Sequence, residues 1–85
     1  MSVFNIEYSS EAFSQLKDLD RAVAERITKK IASTLENPKL FFKSLSGRPE
    51  YKLRVGDYRL IADIDEQKKV IFIRSLGHRK NIYKK

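Results

Sequence analysis

Three cations, Lys52, Arg54 and Arg59, stand in the segment YKLRVGDYRLIADID on either side of a Gly56-Asp57 pair. Two alternating runs joined by two turn residues read as a β-hairpin, and the turn length fixes its register. In that register Val55 faces Tyr58, Leu53 faces Leu60 and Tyr51 faces Ala62, which gives one apolar face shared by both strands. The opposite face then carries Lys52, Arg54 and Arg59, with Arg54 directly across from Arg59. Like charges so placed cost roughly 0.2–1 kcal/mol. A face built only for solvation would more cheaply alternate sign, so the pattern is more readily explained by an anion seated there. Asp63 on the same strand face, or Glu50 nearby, is in position to relieve part of the repulsion. Arginine suits phosphate because its planar fork donates two parallel hydrogen bonds and stays charged at any working pH.

A second group follows the last apolar run, in the tail LGHRKNIYKK. Tyr83 lies in a polar setting and is a candidate for stacking on a nucleobase, whereas Tyr51 and Tyr58 point to the core in the hairpin register. His78 sits beside Arg79 and Lys80; a lone histidine is ordinarily incidental. Gly47-Arg48-Pro49 is no phosphate loop, lacking both the glycine spacing and a following helix.

The charge distribution agrees with this focus. The chain has 85 residues and a net charge of +7. Residues 1–42 balance six Lys/Arg against six Asp/Glu, while residues 43–85 hold twelve against five, so the whole excess falls in the second half. A one-sided basic field concentrates polyanions, although many small basic proteins carry such charge for solubility alone. There are no cysteines and one histidine. That composition excludes disulfides, thiolate zinc sites, cysteine nucleophiles and a multi-histidine metal site. No metal and no cofactor is expected. The N-terminal stretch has neither a basic region nor an apolar run of signal-peptide length. No stretch is long and apolar enough to span a bilayer, so a cytoplasmic protein without a membrane partner is expected.

The elements that must position these residues follow from periodicity. Val3 to Tyr8 alternates as a strand. Ser9 or Ser10 caps a helix carrying Ala12, Phe13, Leu16 and Leu19, and Asp20 caps a second carrying Val23, Ile27, Ile31 and Leu35. Asn37-Pro38 ends it. The short joint makes the two helices an antiparallel hairpin. Residues 39–50 read as a loop anchored in the core by Leu40, Phe41, Phe42 and Leu45. After the β-hairpin, Asp65 to Lys68 turn into a final strand, Lys69 to Ser75. Its VIFI centre is apolar on both faces, as in the middle of a sheet. The expected architecture is one α+β domain over residues 1–85: β-α-α-β-β-β, with the helical hairpin on one face of a mainly antiparallel four-stranded sheet.

Two segments, KSLSGRPEYKLRVGDYRLIADID (43–65) and VIFIRSLGHRKNIY (70–83), resemble the RelE/ParE superfamily of bacterial and archaeal toxin–antitoxin systems. They share its loop, basic strand, tight turn and "YR" strand, then its closing apolar strand, glycine, basic pair and downstream tyrosine. The resemblance implies the same fold and arrest of translation by cleavage of messenger RNA in the ribosomal decoding site. There the ribose 2′-hydroxyl attacks the adjacent phosphate and leaves a 2′,3′-cyclic phosphate. By position, Arg59 matches the arginine that holds the scissile phosphate and Lys52 a lysine credited with activating the nucleophile. Arg79 matches an arginine proposed to protonate the leaving oxygen, and Tyr83 a tyrosine that positions the RNA. Arg54, His78 and Lys80 fall at neighbouring RNA-binding positions, with His78 where a basic residue often occurs.

The implied partners are the ribosome with its messenger RNA and a cognate, RelB-like antitoxin. Operator DNA would be bound only through the antitoxin complex. With no Glu/His pair for acid–base work near neutral pH, the cations would act electrostatically on the phosphorane. The ribosome would align the 2′-hydroxyl, so naked RNA should be cut slowly or not at all. Two other readings compete: a ParE-like toxin that poisons DNA gyrase by protein contact, and a nontoxic basic RNA- or ribosome-binding module.

Overall fold

The computed structural model of the chain describes residues 3–78. Strand β1 (Asn5–Tyr8) leads into helices α1 (Ser10–Lys17) and α2 (Arg21–Ala32), followed by a short 3-10 turn at Pro38–Leu40. Strands β2 (Lys43–Ser44), β3 (Tyr51–Val55), β4 (Tyr58–Asp65) and β5 (Val70–His78) complete one sheet in the order β1-β5-β4-β3-β2. Every pairing is antiparallel except β1 with β5, which is parallel. The expected α+β fold is present, and the apolar β5 lies between β1 and β4, where both of its edges are paired.

The helices cover one face only. Ser9 caps α1, its hydroxyl accepting from Ala12 N at 2.9 Å, while Asp20 occupies the α2 N-cap position without a side-chain bond. The core joins Ala12, Ile27 and Ile31 of the helices to Leu53, Val55, Leu60, Ala62, Ile71, Ile73 and Leu76 of the sheet, closed by Phe4 and Phe42. Removing such apolar surface from water supplies most of the driving force for folding. Among the described residues, no helix is long and apolar enough to cross a membrane.

Three details depart from the sequence reading. The loop 39–50 contains the two-residue strand β2, which makes the sheet five-stranded rather than four-stranded. A strand of two residues is too short to show alternation. Within the same loop only Phe42 is a deep anchor, at 2% exposure; Leu40 and Phe41 are 66% and 37% exposed, and Phe13 of α1 is exposed as well. The third departure is the length of β5. Ile61 pairs with Ser75 and Ala62 with Ile73, so Arg74 is an extra residue bulged between them. A bulge resets the alternation by one. Leu76 is thereby turned into the core, and pairing continues through His78, three residues beyond the expected end. Helix α1 covers this stretch of the β5 edge. The Ser9 hydroxyl donates to the Arg74 carbonyl at 2.6 Å, and the Gln15 side-chain oxygen accepts from Leu76 N at 2.7 Å.

Candidate nucleic-acid interface

The hairpin register is the expected one: Val55 opposite Tyr58, Leu53 opposite Leu60, Tyr51 opposite Ala62 and Arg54 opposite Arg59. Gly56 makes the reversal possible by adopting φ +60°, a left-handed conformation that costs glycine little. With Leu53, Val55 and Leu60 buried under the helices, Lys52, Arg54 and Arg59 project from the open face of the sheet.

The structure adds a second pair of the same kind. Lys43 of β2 lies directly across from Lys52, so one strand pairing beside Arg54 and Arg59 there is another juxtaposition of like charge. Neither of the carboxylates that might have relieved them does so. Glu50 pairs with Arg48 at 3.2 Å, and Asp63 takes a 2.6 Å hydrogen bond from Arg74 Nη1. Among the described residues, Lys30, Lys43, Lys52 and Arg54 form no ion pair. Across β4, the residue opposite Arg59 is Gly77. A glycine there leaves the open face beside the guanidinium without a side chain, while the Arg59 Nε itself is closed off from solvent.

These residues meet in a cavity of about 440 Å³ lined by Lys30, Leu40, Phe41, Lys43, Lys52, Leu53, Arg54 and Arg59. It opens where β2 has ended and the edge of β3 is uncovered, so α2 and the segment after the 3-10 turn contribute to it. Lys30, Phe41 and Lys43 are additions that the sequence reading missed as site residues. Lys43 belongs to a strand too short to announce itself, and Lys30 and Phe41 reach the site only through the tertiary packing of α2 against the loop.

His78 is not brought to the cationic face. It lies opposite Tyr58, whose ring it meets edge-on with centroids 5.6 Å apart, on the helix side of the sheet. The bulge at Arg74 is the cause, since it shifts every following β5 side chain to the other face. Arg79, Lys80 and Tyr83 lie outside the described residues. Among the described residues no cluster of His, Cys, Asp or Glu could hold a metal ion. What the assembled residues can do is bind an anion through several fixed cations and stabilise additional negative charge on it.

Comparison with known proteins places this geometry in a family. The family model described as "ParE toxin of type II toxin-antitoxin system, parDE" matches residues 6–83. The mRNA interferase toxin RelE of Escherichia coli K12 is 31% identical over 77 residues, which span 87% of this chain and 81% of that protein. A chain of the intact E. coli RelBE toxin–antitoxin complex superposes with a TM-score of 0.76 at 30% identity, over 88% of this chain and 95% of that one. A chain of the RelBE2 complex of Mycobacterium tuberculosis gives a TM-score of 0.83 at 20% identity, over 92% of this chain and 100% of that one, a likeness of fold alone. A basic, helix-free sheet face on a β-α-α-β-β-β-β frame and a family match over nearly the whole chain lead to one assignment: the chain belongs to the RelE/ParE superfamily, the toxins of type II toxin–antitoxin systems.

Proposed function

We propose that this toxin is a ribosome-dependent mRNA endonuclease, and that a cognate RelB-like antitoxin neutralises it. The observation that carries the reading is the pair of cross-strand like-charge contacts, Arg54 with Arg59 and Lys43 with Lys52, beside a cavity lined by five cations and no carboxylate. Such contacts destabilise the empty protein and become favourable when a phosphate backbone lies between them. The E. coli relative named mRNA interferase toxin RelE supplies the reaction class.

In the proposed reaction the 2′-hydroxyl oxygen forms a bond to phosphorus while the bond to the 5′-oxygen of the next nucleotide breaks. The 2′ proton passes to solvent water and the departing oxygen takes one from its donor, which solvent reprotonates, so the products are a 2′,3′-cyclic phosphate and a 5′-hydroxyl. Arg59 holds the scissile phosphate and Arg54 its neighbour, with both stabilising the phosphorane. Lys52 lowers the cost of ionising the 2′-hydroxyl through its charge, Arg79 protonates the leaving oxygen, and Tyr83 positions the RNA with Lys80. His78, turned toward Tyr58, is reassigned from RNA contact to packing. The ribosome supplies alignment of the 2′-hydroxyl. Solved complexes of relatives such as E. coli RelBE are toxin–antitoxin pairs, which supports an antitoxin that folds over the same basic face. The default compartment for such a target is the cytoplasm.

The test is 5′-end mapping of messenger RNA on purified ribosomes incubated with the protein. New 5′ ends should appear in the decoding site and should be rare when the same RNA is offered without ribosomes. The family model bears the name of ParE, so a gyrase-directed toxin is the second reading. Loss of DNA supercoiling before loss of translation on expression would establish it and remove the first.

A further inference from the structure

The cavity reaches past the hairpin cations to residues that the proposed reaction does not use. Lys30 comes from α2, Lys43 from β2, and Leu40 and Phe41 from the segment between them. Phe41 keeps 37% of its surface exposed although Phe42, its neighbour, is fully buried. The Lys30 ammonium lies over the Phe41 ring, 5.2 Å from its centroid. A flat, accessible ring beside lysines that have no acidic partner among the described residues is the combination that binds single-stranded nucleic acid. The ring stacks a base of any identity and the cations follow the backbone. Same-face residues on a strand repeat roughly every 6.5 Å, about one nucleotide step. Lys43 and Lys52, next to Arg54 and Arg59, therefore offer cations at successive backbone positions.

We propose that this cavity is a second nucleotide subsite, adjoining the scissile phosphate, in which Phe41 stacks the base and Lys43 and Lys30 hold that nucleotide's phosphate. The proposal rests on the RNA-cleaving reading and extends it to a named position for a flanking nucleotide. Lys30, which lies over the ring in the empty protein, yields that place to the base and moves to the phosphate. Stacking tolerates every base, so the subsite adds affinity and fixes the register of the strand without imposing a sequence. An acidic, amphipathic protein segment is the rival occupant. It is less well matched, because the lining offers a ring and five cations but only two aliphatic side chains, Leu40 and Leu53.

The test uses the full chain and labelled tetraribonucleotides made uncleavable by 2′-O-methyl groups, with binding followed by fluorescence anisotropy at low salt. Phe41→Leu keeps the apolar bulk and loses the ring; it should weaken binding roughly tenfold while its thermal unfolding stays close to that of the parent. Moving a single abasic site along the tetranucleotide should find one position where wild type suffers the same loss and Phe41→Leu suffers no further loss. Lys43→Gln should flatten the salt dependence by roughly 0.7 in slope. Arg54→Thr reports on the underlying reading. If Phe41→Leu binds like wild type and Arg54→Thr binds weakly, the subsite is refuted and the RNA-cleaving reading stands. If both bind like wild type, the basic face is not an RNA site and both fall. If wild type binds no tetranucleotide, the subsite is refuted, while ribosomal cleavage remains an independent check of the wider reading. If Phe41→Leu loses only a synthetic peptide alternating leucine and glutamate, the cavity is a protein-docking site and the proposal is wrong.

Discussion

At the hairpin end of the open sheet face, Arg54 lies across from Arg59 and Lys43 across from Lys52, while Glu50 and Asp63 are paired with Arg48 and Arg74. Four residues further along β4, Asp63 binds Arg74 at 2.6 Å, and the Asp65 carboxylate accepts from the backbone N–H groups of Gln67 and Lys68. Beyond them Lys39 pairs with Glu66 at 2.8 Å. The same strands thus run from an end where like charges are held together to an end where Asp63, Arg74, Lys39 and Glu66 are paired. Net charge alone would not distinguish the two ends; placement does. Where the chain pairs its own charges, the fold accounts for them; the cations set across from one another at the hairpin end are the ones that the proposed function assigns to an anion.

The largest test of that contrast is Arg59→Ala. A preorganised cation on the phosphorane is worth roughly 10²–10³ in rate, so ribosomal cleavage mapped by 5′ ends should fall by about that factor with the fold intact. Cleavage near the wild-type rate would mean that the cationic end is not the site.

Arg54→Thr should show that function and stability pull against each other here. It removes one member of a like-charge pair and places a good strand former on an exposed position. Stability should rise by roughly 0.2–1 kcal/mol, while RNA affinity falls and the salt slope drops by about 0.7. Added salt should stabilise the wild type more than the variant, because screening relieves the repulsion. A variant that is less stable and equally good at binding would contradict the charge argument on both counts.

At the other end the expectation reverses. Arg74 is a cation in the sequence, but its guanidinium is held by Asp63, which raises its pKa still further, so it has little charge to offer a phosphate. Arg74→Ala should leave the salt slope of RNA binding unchanged. Asp63→Asn releases Arg74 and should steepen it by up to roughly 0.7. Both side chains are well exposed, so either change should alter thermal stability only slightly.

How much of this was legible in the sequence depends on the span of the signal. The hairpin register and the Arg54–Arg59 contact could be read because Gly56-Asp57 pins two long alternating runs. The helices could be read from apolar residues three and four apart. The bulge at Arg74 could not, because VIFIRSLG loses its alternation there and a break in pattern looks like the end of a strand. That single residue carries His78 into the strand and turns it to the helix side of the sheet, away from the hairpin cations. Lys43 was hidden in a strand of two residues. Lys30 and Phe41 were hidden by distance in sequence, since only packing brings α2 and the 3-10 turn to the β3 edge. Local geometry was therefore readable, and the half of the cavity assembled from separate elements was not.

The smallest expected effect belongs to Lys39 and Glu66, at the self-satisfied end. A hydrogen bond from Lys39 holds the Glu66 carboxyl below the usual carboxylate range, and the same bond holds the lysine above its ordinary value. A carboxyl lowered on folding contributes stability that is present above its unfolded pKa and disappears as pH falls through the folded one. A lysine raised on folding contributes stability that is lost only as pH climbs through its folded pKa. Glu66→Gln should therefore unfold at a slightly lower temperature than wild type at neutral pH, and the two should converge in acid. Both groups are open to solvent, so the gap is small. RNA binding should not change at all, because this charge was never available to a partner. A loss of binding in Glu66→Gln would show that the two ends are coupled, and that charge placement at one cannot be read without the other.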